Sequence, residues 1–195
     1  MKNNWHDIAY LKSGNERQNN AYSALNKLKV FKILREYNPT LVGTIPIEID
    51  ISESDLDIIC EVYDLEEFEE LVIKSFNKYD DFHIEQKTVK GLLTSISYFS
   101  YSNFLIEIFG QPKPVIEQNG YRHMIVEKKL LEISGESARK QIIKLKKLGL
   151  KTEPAFAKYF NLKGDPFDEL LKLSRLNEKE LILFLKKKNY GGNNA

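Results

Sequence analysis

Cysteine is nearly missing from this chain: Cys60 stands alone, so no internal disulfide can form and no zinc-type cysteine spacing exists. That usage fits a reducing cytoplasm, with Cys60 read as core packing. An excess of either charge is missing too, since Lys+Arg 29 against Asp+Glu 28 leaves a net charge of +1. A chain so balanced has no global field for tracking long nucleic acid, and any polyanion contact must be local. No apolar run approaches bilayer length, and the Met1-Lys2-Asn3-Asn4 start carries no apolar segment, so neither a membrane span nor a signal peptide is expected. The three histidines, His6, His83 and His123, share no metal-ligand spacing. There is no internal repeat. What is present is hydrophobic content, 42% of 195 residues, enough to build a core in one domain or in a small domain with a helical appendage.

The pattern along the chain changes period twice. Asp7 to Tyr37 reads as helix, with Leu25, Leu28, Phe31 and Ile33-Leu34 at helical spacing before Asn38-Pro39. Thr40 to Glu61 reads as strand, through Leu41-Val42, Ile45, Ile47, Ile49, Ile51 and Leu56 to Ile59, interrupted by the polar turn Ser52-Glu53-Ser54. Asp64 to Tyr79 is an amphipathic helix, capped by Asp64 with Glu67 three residues on, that buries Leu65, Phe68, Leu71, Val72 and Phe76. Three strands are expected at Phe82 to Val89, Leu92 to Tyr101 and Asn103 to Phe109, the last two as a hairpin. After Gly110-Gln111-Pro112-Lys113-Pro114 the pattern is helical again, near 121–133, 136–148, 153–160, 167–171 and 178–188. The fold class is α/β (α+β), a mixed β-sheet flanked by helices. The expected division is residues 1–114 as the core with its N-terminal helices, 115–190 as a C-terminal helical subdomain, and 191–195 as a mobile tail.

Chemistry concentrates between Val42 and Ile58. Gly43-Thr44 is followed, after ten residues, by Asp55-Leu56-Asp57-Ile58, with Ser54 directly before Asp55. In a strand, Asp55 and Asp57 share one face and Leu56 and Ile58 the other. Two carboxylates held side by side repel unless a cation joins them, and Mg²⁺ takes one or two carboxylates while completing its shell with water and phosphate oxygens. Glu107 alternates with Ile106 and Ile108 in a later strand, a charge among apolar neighbours.

These residues resemble the DNA polymerase beta-like nucleotidyltransferase superfamily, whose pattern is an apolar residue, Gly, Ser or Gly, a loop, and two acids separated by one apolar residue. Val42-Gly43-Thr44 and Asp55-Leu56-Asp57-Ile58 follow it, with Thr44 keeping the hydroxyl of the more usual Ser and Ser54 completing a Ser-Asp-x-Asp form. The stretches VGTIPIEID, SDLDIICEV, IEIFGQPKP, YRHM, KTEPAFAKYF and LKGDP, from about Thr40 to Leu173, are similar to a bacterial family of unknown function within it. The resemblance implies a nucleotidyltransferase-like fold, Mg²⁺ or Mn²⁺ as cofactor, and a nucleoside triphosphate as substrate. It also implies that Asp55, Asp57 and Glu107 form the catalytic and metal-binding set, with Glu107 binding a second metal or acting as general base. Gly43, Thr44 and Ser54 are then expected beside the nucleotide, and Arg122 is favoured over Lys90, Lys113 and His123 as its cationic partner because a guanidinium grips phosphate bidentately.

Each residue also has a plainer reading. Glu48 and Asp50 repeat the alternate acidic spacing within Ile47 to Ile51. Gly43 and Thr44 suit any strand turn, and His123 any structural role. The run Arg139, Lys140, Lys144, Lys146, Lys147 and Lys151 interleaves with Ile142-Ile143, Leu145 and Leu148 and is read as a solvated helix face. Tyr98, Phe99 and Tyr101 either line a nucleoside or acceptor pocket or fill the core. The leading function is transfer of a nucleoside monophosphate from a triphosphate to a hydroxyl acceptor, a small molecule before a protein or an RNA end. The alternative is a non-catalytic module on the same fold that binds a nucleotide or a protein, as a regulatory or toxin-antitoxin component. No pattern specifies an oligomeric state.

Overall fold

The computed structural model describes residues 5–187; the expected tail at 191–195 and Lys188 lie outside them. Two compact units divide the chain: one runs to Glu48 and resumes at Glu53–Tyr121, the other combines Ile49–Ser52 with the chain from Arg122. The first unit therefore extends past the expected break after residue 114, and the second captures a short piece of the Gly43-to-Asp55 loop.

The N-terminal stretch is not one helix. A 3-10 turn at Ile8–Ser13 precedes α1 (Glu16–Leu28), and a short α2 (Val30–Ile33) follows. Lys29 breaks the run in the left-handed region at φ 58, a conformation that ends helices. Asn15 starts α1 with a capping box: its side chain accepts from Gln18 N while Gln18 Oε1 accepts from Asn15 N. Helix α1 buries Ala21, Ala24, Leu25 and Leu28.

Strand β1 (Thr40–Val42) is short, and β2 (Leu56–Glu61) is the next regular strand. The expected strand through Ile45, Ile47, Ile49 and Ile51 does not form. Ile45–Ile47 is a 3-10 turn with Pro46 inside it and Glu48 left-handed at φ 60. Proline has no N–H for a ladder and fixes φ, so Ile45, Ile47 and Ile49 become buried anchors of a loop.

Helix α3 (Leu65–Phe76) is capped by Asp64, whose carboxylate accepts from Glu67 N, and buries Phe68, Val72 and Phe76. Then come β3 (Asp80–Val89), β4 (Leu92–Tyr101) and β5 (Phe104–Gln111). The sheet order is β1-β2-β5-β4-β3, with β2 and β5 parallel and every other pair antiparallel. One face, carrying Leu56, Ile58, Phe99, Ile106 and Ile108, joins α1 and α3 in a single apolar core. Gly110 makes room there, since a Cβ would lie 2.7 Å from the Phe68 ring. Cys60 is free and fully buried, and burial pushes its thiol pKa up, as a packing residue requires.

The second unit is helical: α4 (Asn119–Lys147, its opening turn in the first unit), α5 (Thr152–Tyr159), α6 (Pro166–Leu173) and α7 (Glu178–Lys187). Helix α4 is interrupted at Gly135 (φ 76, ψ −170), the position between the two segments expected from periodicity. Asp165 caps α6 by accepting from Asp168 N, ahead of Pro166 in the first turn. Among the described residues no helix is long and apolar enough to cross a membrane.

Candidate functional site

The site is built in the first unit on the sheet face turned away from the core helices. Strand pairing sets Asp57 of β2 opposite Glu107 of β5, and Glu107 opposite Tyr98 of β4. Paired residues present their side chains to the same face, so the carboxylates of Asp57 and Glu107 stand side by side while Leu56, Ile58, Ile106 and Ile108 anchor both strands from behind. Asp55, expected on the strand beside Asp57, lies one residue before β2 begins. Its charge nonetheless reaches Glu107, whose pKa is raised first by burial and then by Asp55.

Gly43 follows β1 directly, with φ +81, and a Cβ built there would fall 2.2 Å from Asp57 Oδ2. Glycine is required twice over, by the left-handed backbone and by the carboxylate occupying the space a side chain would take. The Thr44 hydroxyl donates to Ser54 Oγ at 3.1 Å, tying the two limbs of the loop together across the gap between Gly43 and Asp55.

Two further residues hold this loop, and sequence reasoning missed both. Gln18, buried in the first turn of α1, donates from Nε2 to Ile45 O at 2.9 Å. Arg17 beside it donates from Nη2 to Ser54 O at 2.8 Å, with its guanidinium over the Phe104 ring at 4.7 Å. Adjacent positions of one helix thus grip the limb after Thr44 and the limb before Asp55. The only local signal was the capping pair Asn15 and Gln18.

The cationic candidates are scattered. Lys90 follows β3 and Lys113 follows β5, which sets both at the end of the sheet opposite to Asp55. Arg122 donates from Nη2 to Leu171 O at 3.0 Å and to Ser174 Oγ at 2.8 Å, bonds that hold α4 to the end of α6 within the second unit. His123, nearly buried, pairs its Nε2 with Phe167 O at 3.0 Å and lies 3.4 Å from Glu153, the structural role its plainer reading describes. Lys146 departs from the expected solvated face: it is buried, and its Nζ donates to Ile49 O at 2.8 Å. Glu48 and Asp50 sit outside any strand, so strand alternation no longer pairs them.

Among the described residues, no three His, Cys, Asp or Glu side chains form a group able to hold a metal ion. The donor chemistry of Asp57 and Glu107, with Asp55 nearby, does fit a hard divalent cation of the Mg²⁺ type, which uses one or two carboxylates and draws its other ligands from water and phosphate. The space that Gly43 leaves for the Asp57 carboxylate agrees with that use.

Solved structures similar to this chain include an RNA terminal uridylyl transferase and the polymerase core of an RNA surveillance complex. A structure of Cid1 described for its RNA terminal uridylyl transferase activity matches at TM-score 0.50 and 8% identity, over 72% of this chain and 46% of that one. A structure of the Cid1 poly(U) polymerase with MgGTP bound matches at 0.49 and 9% identity, over 66% and 41%. The polymerase core of TRAMP, an RNA surveillance complex, matches at 0.48 and 14%, over 94% and 62%. This chain spans less than half the length of either Cid1 structure. At such identities the likeness is one of fold, and the fold is nucleotidyltransferase-like α+β. No curated protein matches the sequence. Residues 23–173, most of the chain, match the family model described as Domain of unknown function (DUF4269), and the chain belongs to that family.

Proposed function

We propose that this protein transfers a nucleoside monophosphate from a nucleoside triphosphate to a hydroxyl acceptor, with Mg²⁺ or Mn²⁺ held by Asp55 and Asp57. The observation that carries the reading is the glycine corner. Gly43 vacates the space that the Asp57 carboxylate fills, beside Glu107 in the paired strand, on a nucleotidyltransferase-like fold. The metal supplies charge neutralisation for the triphosphate oxygens. Backbone and hydroxyl groups of Gly43, Thr44 and Ser54 orient the phosphates. Glu107, its pKa raised by burial and by Asp55, accepts the proton of the acceptor hydroxyl, a task to which a more basic carboxylate is suited. That hydroxyl oxygen bonds to the α-phosphorus as the bond to pyrophosphate breaks. Positioning and electrostatics supply the rate enhancement.

The test is pyrophosphate release with Mg²⁺, the four triphosphates and a pooled acceptor panel. Asp57→Asn is expected to lower turnover at least a hundredfold, in line with the loss of a principal charge-stabilising group. Triphosphate binding and turnover unchanged in Asp57→Asn and Asp55→Asn overturn the assignment. One observation favours the non-catalytic alternative: Arg122, the cation expected at the phosphates, is held by Leu171 O and Ser174 Oγ. Triphosphate binding without turnover across the whole panel is its signature.

A further inference from the structure

The row that contains the two carboxylates does not stop at Glu107. Tyr98 pairs with Glu107, and His83 of β3 pairs with Tyr98, so one sheet face carries Asp57, Glu107, Tyr98 and His83 in consecutive strands. Three inter-strand steps span about 14 Å. The Tyr98 and His83 rings stack on each other, with centroids 5.0 Å apart and planes 29° apart. Tyr98 is half-buried and His83 exposed.

The neighbouring aromatic residues behave differently. Phe99 points to the core face, fully buried and stacked on Phe76 at 5.1 Å. Tyr101 meets Tyr79 edge to face and packs against the core. Of the three aromatic residues in this part of β4, only Tyr98 is on the carboxylate face. A core role does not explain a half-buried ring stacked on an exposed one there.

We infer that Tyr98 and His83 form the platform on which the acceptor rests, and that the acceptor is a nucleoside whose base stacks on the rings while its ribose hydroxyl reaches Glu107. This rests on the nucleotidyl-transfer reading of the same site. The chemistry selects the ligand. Stacked rings leave their outer faces to a base, which extends the stack whatever its identity, and in antiparallel pairs opposed Cβ atoms lie about 4.5–5.5 Å apart, which places the Tyr98 end of the stack one sugar's breadth from the general base. A ring-less polyol would gain nothing from it. The nucleoside is either free or the end of an RNA.

Adenosine is titrated into the full chain while the ring resonances of the three histidines are followed, with His83→Gln identifying the His83 signals. Adenosine is expected to shift His83, ribitol to leave it in place, and Tyr98→Leu to weaken adenosine binding roughly tenfold, the scale of one base-stacking contact. Binding by Tyr98→Leu within twofold of the unaltered protein, or shifts confined to His6 and His123, overturns the inference. A hexaadenylate with a free 3′-hydroxyl supplies the second arm. The same loss in Tyr98→Leu makes an RNA end the source, and a loss confined to adenosine makes it the free nucleoside. Mg²⁺-triphosphate binding by Asp57→Asn is measured in parallel. Its retention together with unchanged turnover sinks the nucleotidyl-transfer reading, whereas loss of binding or turnover beside Tyr98-independent adenosine binding sinks only the platform.

Discussion

Gly43 shows how one residue type can answer to two constraints. Its backbone lies at φ +81 and its missing side chain is replaced by Asp57 Oδ2. Gly43→Ala would meet both at once: a left-handed alanine costs about 1–2 kcal/mol, and the new methyl must push the flexible end of Asp57 aside. Thermal melting should therefore show a modest loss, while Mg²⁺-dependent triphosphate affinity should fall much further than stability does. A variant with lowered melting temperature and unchanged affinity would make Gly43 a plain turn residue. The spacing from Gly43 to Asp57 was legible in the sequence. The contact between them was not, because it depends on how β1 pairs with β2, Val42 opposite Asp57.

Among the elements, α1 has the least obvious task. Its apolar stripe is that of any helix lying on a sheet, yet its first turn fixes the loop that links β1 to β2 through Gln18 and Arg17. The Ile45 carbonyl accepts from a buried amide, and stranding a buried polar group costs about 1–3 kcal/mol. Gln18→Leu should therefore destabilise by that amount in denaturant titrations and raise KM for the triphosphate, because the Gly43-Thr44 limb loses its anchor. Gln18→Glu, which cannot donate from that position when ionised, should behave like the leucine variant at neutral pH. Normal KM in both variants would show the loop to be self-supporting. Periodicity revealed α3, β4 and β5 well because capping and alternation act over a few neighbouring residues. It failed at Ile45 to Ile51, where Pro46 overrode the alternating pattern.

At the scale of the whole molecule, both units bury apolar side chains, among them Leu130, Ile142, Phe156 and Phe160 in the second, but they differ in the charge they bury. The first is an apolar core between a sheet and two helices. The second buries charge: Glu127 and Lys146 are both almost inaccessible, with His123 and Glu153 beside them. Glu127 is pushed up to about 8 by burial and by Glu153, with Lys146 pulling it down. In the unfolded chain it returns to the ordinary value near 4.5. Between those values the folded protein holds a proton that the unfolded chain has released, so stability is full below about pH 4.5 and falls as pH rises toward 8. Melting temperature should accordingly decline from pH 5 to pH 8 and level off above it, as far as this group controls it. Glu127→Gln should flatten that decline, and an equally steep profile in the variant would remove Glu127 from the account.

The sequence by itself determined what is local. It set the residue types of the Gly-Thr and Asp-x-Asp segments, the caps at Asn15, Asp64 and Asp165, the apolar backing of β2 and β5, and the break in α4 at Gly135. Only the tertiary structure decided that Glu107 stands opposite Asp57, that Tyr98 and His83 extend the same row, that α1 grips both limbs of the loop, and that Lys146 is buried. Propensity, capping and alternation are settled by near neighbours in the chain. Register between distant strands is settled by which apolar faces can be buried together, a property of the folded whole.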